Sequence, residues 1–228
     1  MVAGVLAHDL PCILVDDGST PDCARVVDGL ADAAPTRVTI VRHPINQGKG
    51  GAVLSGLARA SALGYSHALQ IDADGQHDPA QIPMFVAAAR AQPEAMITGQ
   101  PVFDASVPKS RLYSRRLTHV LVWIHTLSLE IRDSMCGFRV YPIAPVLMIA
   151  RSVQLGRRMD FDIEVLVRLH WAGVRVVSLP TPVRYPLDGI SHFRLWRDNA
   201  LISRLHAMLF LGMLARFPRL VARRWSPA

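Results

Sequence analysis

The stretch Ala68-Leu-Gln-Ile71-Asp72-Ala-Asp74-Gly-Gln76-His77-Asp78-Pro79 decides how the chain is read. Its mostly apolar start predicts a short strand, and two carboxylates one residue apart follow at the strand's end. In extended backbone Asp72 and Asp74 point to the same side, where they repel unless a cation lies between them. Their oxygens converge on a hard divalent ion, Mg²⁺ or Mn²⁺, to which Gln76 adds a neutral oxygen. Such ions keep positions open for substrate phosphates, so the pattern points to a diphosphate partner. A plainer reading stands beside it: a polar turn in which Asp78-Pro79 starts the next helix. Taken alone, the acid pair favours that plainer reading.

Upstream, Cys12-Ile-Leu-Val15 is a second buried-type strand, and it ends in Asp16-Asp17-Gly18-Ser19. An acid at the carboxyl end of a strand can accept hydrogen bonds from a base or a ribose, and Ser19 or Thr20 can cap the following helix at the same time. Pro21 to Ala34 predicts a helix and Arg37 to Val41 a strand. Asn46-Gln-Gly48-Lys49-Gly50-Gly51 then opens a helix that runs to about Gly64. Its amide groups, with Lys49 beside them, suit a phosphate, although the order is not that of a Walker A loop. Equally, the glycines let helix and sheet pack closely. Both readings stand.

Downstream, Pro79 to Ala91 predicts a helix, Ala95 to Thr98 a strand and Lys109 to Leu129 a helix with Arg111, Arg115 and Arg116 in its first half. The alternation of strand and helix predicts an open, mainly parallel sheet whose ligands gather beyond the carboxyl ends of the strands. Asp16, Asp17, Asp72 and Asp74 all fall on that edge. Further on, Ile131-Arg132-Asp133-Ser134-Met135-Cys136-Gly137-Phe138-Arg139 packs acids and arginines around a glycine turn, and Asp160, Asp162 and Glu164 precede a helix that ends at Ala172. Those acids suit either a general base or the positive end of the helix. Val174 to Leu179 is a strand, after which Pro180, Pro182 and Pro186 mark an extended connection.

The last segment, Leu195 to Trp225, predicts a long helix with a break near Pro218. Leu201, Ile202, Leu205, Leu209, Leu214 and Phe217 form an apolar stripe, and Arg197, Arg204, Arg216, Arg219, Arg223 and Arg224 supply positive charge. Basic amphipathic helices of this kind lie in the membrane interface, and a helix docked on a protein core carries the same stripe. Phe210, Leu211 and Met213 widen the stripe and favour the membrane.

Composition narrows the class. With 228 residues, half of them hydrophobic, the chain can build one substantial α/β domain with an appendage. The net charge of +7 favours anionic partners. No basic-and-aromatic RNA motif or recognition helix accompanies it, so nucleic acid is not expected as a partner. Three cysteines without metal spacing fit a reduced setting. The N-terminal residues lack the basic flank and cleavage site of a signal peptide, and the apolar run Ala207 to Ala215 falls short of the ~20 residues that span a bilayer.

Asp16-Asp17-Gly18-Ser19, Asn46-x-Gly48-Lys49-Gly50, Asp72-x-Asp74-Gly-Gln76-His77-x-Pro79, Asp133-x-x-Cys136-Gly137-Phe138-Arg139 and Gly189-x-Ser191 occur in the order seen in family 2 glycosyltransferases. The chain resembles in particular the branch of dolichyl-phosphate mannose synthase and polyprenyl-phosphate glycosyltransferases, over roughly residues 12 to 192. The resemblance implies a GT-A fold, with a glycosyltransferase domain at 1–192 and a membrane-interface helix at 193–228. It implies metal-dependent, usually inverting transfer from a nucleotide-sugar donor to a lipid or lipid-linked acceptor. By similarity, Asp16 or Asp17 meets the nucleoside, while Asp72, Asp74 and Gln76 hold the metal and diphosphate. Lys49, Arg132, Arg139, Ser191 and His192 belong to substrate binding, and Asp133, Asp162 and Glu164 are the candidate catalytic bases. The expected location is cytoplasmic, peripheral on the inner face of the cell membrane and in contact with its anionic surface.

Two departures from the family pattern carry expectations of their own. The family begins with a strand that ends in a Pro-x-Tyr-Asn-like turn, and this chain begins inside the helix that follows it. The resemblance therefore implies that the first strand is missing, with loss of solubility and of part of the donor site. His192 stands where the branch commonly has lysine, which weakens a phosphate contact there. Asp198-Asn199 and His206 also differ from that branch, and together these features are similar to bacterial family 2 enzymes associated with lipid acyltransferases. The competing reading is an inactive or partner-binding domain of the same fold.

Overall fold

The computed structural model describes residues 1–103, 109–183 and 195–225, the side chains of 109–111, 195, 224 and 225 excepted. Helix α1 (Val2–Leu6) precedes β1 (Cys12–Asp17), α2 (Pro21–Asp32), β2 (Val38–His43), α3 (Lys49–Ala62) and β3 (His67–Ile71). A 3₁₀ turn at Pro79–Gln81 leads into α4 (Ile82–Ala91), β4 (Met96–Val102), α5 (Lys109–Thr126), β5 (Phe138–Pro142) and α6 (Ile143–Ser152). Then come α7 (Phe161–Ala172), β6 (Val176–Pro182) and α8 (Leu195–Trp225). Local chemistry accounts for several boundaries. Thr20 caps α2 through its hydroxyl ahead of Pro21, and Asp78 accepts from the Ala80 amide to begin the 3₁₀ turn. The helix expected from Pro79 starts as that turn.

Strands β1 and β2 pair in parallel, and β3, β5, β4 and β6 form a second sheet in that order. In it β5 runs antiparallel to both β3 and β4, while β4 and β6 are parallel. The sheet is thus mixed rather than mainly parallel, because Phe138, which opens β5, pairs with Ile71, which closes β3. The chain re-enters the sheet from the edge where β3 leaves it, so β5 has to run the other way. β6 extends through Pro180 and Pro182, which were expected in a connection; as an edge strand it tolerates residues that lack an N–H.

Two apolar clusters cover the sheets. One gathers Leu57, Phe161, Leu166, Leu169, Leu205 and Leu209 from the helices α3, α7 and α8; the other gathers Val5, Ile82, Phe85, Ile97 and Phe138 on the side of α1 and α4. Helix α7 is buried nearly all round, as its even distribution of apolar residues requires. Ile13 of β1 and Ala68 of β3 both pack on the first cluster, and Cys12 of β1 with Leu69 and Ile71 of β3 on the second. Yet no described strand pairs with the remaining edge of either β1 or β3. The two sheets share one pair of covers and are split along that line.

Helix α8 is continuous through Pro218 and is long and apolar enough, by length and composition, to cross a membrane. One face of it is docked, since Leu205, Leu209, Met213 and Leu220 are buried. His206 meets His125 of α5 at 3.0 Å in a buried contact.

Candidate active site

The acids at the end of β1 are consumed internally. Asp16 accepts from the Ser19 amide at 3.0 Å and from Arg42 Nε at 2.8 Å, and the Ser19 hydrogen bonds hold its carboxyl below the usual carboxylate range. Asp17 accepts from the Gln47 and Gly48 amides, each at 2.8 Å, and lies 2.7 Å from His43 Nδ1. It ties β1 to the entry of α3. That entry owes its glycines to close packing, because a Cβ on Gly50 would lie 2.5 Å from Cβ of Phe161 and 2.6 Å from the Gly156 carbonyl oxygen.

At the end of β3 the arrangement opens. Asp72, Asp74, Gln76 and His77 line a cleft of about 130 Å³, faced by Arg115 of α5 and by Met135, Cys136 and Gly137 ahead of β5. A Cβ on Gly137 would fall 1.9 Å from Asp72 Oδ2, so only glycine lets that turn approach the acid. Asp74 is exposed and, among the described residues, accepts from the Gln76 amide at 3.0 Å. Asp72 is more committed: Gln70 Nε2 donates to Oδ1 at 2.8 Å, and Lys49 Nζ lies 2.6 Å from Oδ2. Lys49 also sits 2.6 Å from Asp162 Oδ2. Burial alone would lower its pKa, but the carboxylates of Asp162 and Asp72 outweigh burial and raise it, so the ammonium stays charged.

Arg139, Asp133, Asp162 and Glu164 are buried and are not among the residues that line this cleft. Arg139 is wholly buried, donating to the carbonyls of Asp162 at 3.0 Å and Ser134 at 2.8 Å and pairing with Asp162 Oδ1 at 3.2 Å. Its charge is satisfied by protein, which the motif alone does not reveal. Asp133 is gripped by Arg115 through Nε at 2.6 Å and Nη2 at 2.7 Å, by the Met135 and Cys136 amides, and lies 3.2 Å from His119 Nε2. Burial would raise its pKa; His119 and Arg115 overcome this and hold the carboxyl far below its ordinary value. Glu164 accepts from the Gly156 amide and Arg168 Nε, both at 2.7 Å. Asp133 and Glu164 accept hydrogen bonds on both carboxylate oxygens, and Asp162 is paired through Oδ2 with Lys49 and through Oδ1 with Arg139, so all three are engaged by protein cations or donors.

Arg132 is exposed and is not among the residues that line the cleft; Ser191 and His192 lie outside the described residues. His77 and Cys136 line the cleft without having been singled out as site residues. His77 is buried with Nδ1 unpartnered, and burial lowers its pKa. Burial pushes the Cys136 thiol up to about 11, which leaves it inert. The sequence signal for Arg115 was present, in the arginines at the start of α5, but nothing in it said which of them turns to the acids.

Among the described residues no three His, Cys, Asp or Glu side chains are grouped to hold a metal by themselves. The oxygen-only set of Asp74, Asp72 and Gln76 fits a hard divalent ion that takes its remaining ligands from phosphate oxygens.

The family model described as "Glycosyl transferase family 2" matches residues 2–149. Polyprenol monophosphomannose synthase of Mycolicibacterium smegmatis is 28% identical over 186 residues, covering 79% of this chain and 70% of that protein. Undecaprenyl-phosphate mannosyltransferase of Micrococcus luteus is 25% identical over 181 residues, 74% of this chain and 70% of its own. Among solved structures, glucosyl-3-phosphoglycerate synthase of Mycobacterium tuberculosis with phosphoglyceric acid superposes with a TM-score of 0.59 at 18% identity, over 89% of this chain and 68% of that one. The same enzyme with Mn²⁺, uridine diphosphate and glucosyl-3-phosphoglycerate gives 0.55 at 16% identity, over 92% and 74%. The solved structures share the architecture; the matched family model, over well more than half the chain, carries the assignment: this chain is a glycosyltransferase and belongs to glycosyl transferase family 2.

Proposed function

We propose that the chain transfers a sugar from a nucleotide-diphosphate donor to a lipid-linked phosphate at the cytoplasmic membrane surface, with inversion at the anomeric carbon. The observation that carries the choice of acceptor is the engagement of all three candidate bases, Asp133, Asp162 and Glu164, by protein donors. An acceptor hydroxyl needs a base within reach of its proton, whereas a lipid phosphate arrives ionised and needs none. The names of the mannosyltransferase relatives point the same way. His192, expected to weaken a phosphate contact, lies outside the described residues; Arg115, beside the cleft, is a cation that such an acceptor meets in this reading.

Asp74, with Gln76 and Asp72, would hold Mg²⁺ or Mn²⁺ together with the donor diphosphate. Bound there, the ion supplies positive charge to the departing nucleoside diphosphate. Lys49 keeps Asp72 and Asp162 compensated in a poorly hydrated corner, and Gly137 holds the opposite wall against Asp72. Helix α8 rests on the membrane rather than crossing it in this reading, because a helix with a docked face cannot be ringed by lipid.

Incubation with a panel of nucleotide sugars tests the reading, with Mn²⁺ or Mg²⁺ and either a polyprenyl phosphate or the matching polyprenol. Metal-dependent release of nucleoside diphosphate, stimulated by the lipid phosphate and not by the alcohol, is expected. Equal stimulation by the alcohol would overturn the acceptor assignment.

A further inference from the structure

Helix α5 leaves one stripe of large apolar side chains uncovered: Tyr113, Leu117, Val120 and Ile124, exposed by 68%, 63%, 45% and 40%. Their spacing, at ~100° per residue, confines them to an arc of about 60°. Helix α8 has an uncovered face too. From Trp196 to Val221 the arc of about 120° centred on Leu214 holds Phe210, Leu211 and Phe217 and no charged residue.

Helix α5 starts at the cleft, where Arg115 grips Asp133, and reaches His125 near its end. There it meets His206, beyond which α8 continues to the end of α7, with Arg216 4.7 Å from the Trp171 ring and Arg223 donating to the His170 carbonyl at 2.9 Å. With α5 and α8 taken as parallel, the offsets of the two stripes from His125 and His206 can be compared. Helical spacing sets the α5 stripe about 110° to one side of His125 and the α8 stripe about 80° to the other side of His206. For parallel helices joined through those histidines, these opposite offsets bring both stripes onto the same side. The same spacing places Arg116 along the outer margin of α5 and Arg197 and Arg204, all exposed, along that of α8.

We propose that α5 and α8 together form a two-helix platform that lies in the headgroup region of an anionic bilayer, with the α5 stripe as a membrane contact in its own right. Charge decides for this occupant: an apolar strip without charge, edged by arginines on both margins, matches acyl chains below and lipid phosphates beside them. The consequence for the site is geometric. Arg115 projects from the side of α5 opposite Leu117, so the cleft stands about one helix diameter, roughly 10 Å, from the membrane. This inference rests on the membrane reading given above, which α8 alone would satisfy.

The experiment compares the full chain with the variant Leu117→Glu/Val120→Glu for binding to phosphatidylglycerol-containing vesicles, with thermal unfolding and oligomeric state measured on both. A second variant, Leu117→Trp, reads contact directly through quenching by bromine-labelled lipid. The expected result is a loss of vesicle affinity of about tenfold or more at an unchanged unfolding midpoint, with added quenching in Leu117→Trp. Wild-type affinity in the double variant, or no added quenching, overturns the α5 contact and leaves α8 as the sole seat. If the wild-type chain itself ignores the vesicles, the membrane reading falls with it. A wild-type dimer that the double variant abolishes assigns the face to a second copy and also overturns the proposal.

Discussion

The chain carries two acid pairs at the ends of strands in different sheets, and they have opposite fates. Asp16 and Asp17 end β1 with their oxygens taken up by Ser19, Arg42, His43 and the amides of Gln47 and Gly48. Asp72 and Asp74 end β3 with one acid tied to Lys49 and the other open to solvent. Both pairs end a strand; the donors that reach them differ. A carboxylate that already accepts strong hydrogen bonds contributes to stability, and one with a vacant oxygen is free for a ligand.

The contrast breaks first at Asp74. Its replacement by alanine should cut donor-dependent turnover by about 10³-fold, equivalent to about 4 kcal/mol of transition-state stabilisation, while the unfolding midpoint stays put. Turnover within a few-fold of wild type would take Asp74 out of the site. Asp17→Ala should behave in the reverse sense. Loss of the anchor between β1 and the α3 entry should lower stability by about 3 kcal/mol in urea unfolding, with catalysis per folded molecule largely kept. An unfolding curve identical to wild type would mean that these bonds do not hold the loop.

The smallest effect is expected at Asp16 and shows only in acid. Its folded-state pKa lies below the 3.8 of a free aspartate, so the unfolded chain takes up its proton first as pH falls. The stability it contributes is complete above that value and is lost as pH drops through the lower, folded-state pKa. Asp16→Asn should therefore flatten the acid limb of stability against pH. Parallel limbs for the variant and wild type would count against it.

The sequence made the strand-end acids, the glycine-rich entry and the long terminal helix legible because each is a local pattern. What it hid depended on distant partners. Nothing between Phe138 and Pro142 tells that β5 reverses direction; its register with Ile71 does. Helix α6 escaped notice, since a short apolar run flanked by prolines shows little periodicity. Arg139 reads as a phosphate ligand until Asp162 and Ser134 are found beside it. The candidate bases read as free acids for the same reason: motifs name residues and leave their hydrogen-bond donors unnamed.

The pairing of Ile71 with Phe138 also sets the order in which the molecule can assemble. One wall of the cleft leaves β3 and the other enters β5, with α4, β4 and α5 between them in the chain. Closing so long a loop costs entropy that is recovered only when the second sheet forms, whereas β1 and β2 can pair earlier across a single helix. During synthesis, a chain that has grown only as far as α4 carries Asp72 and Asp74 but has no wall to set against them. On the proposed function, donor binding is a late event in folding, and its appearance marks the moment when the two halves of the chain have met.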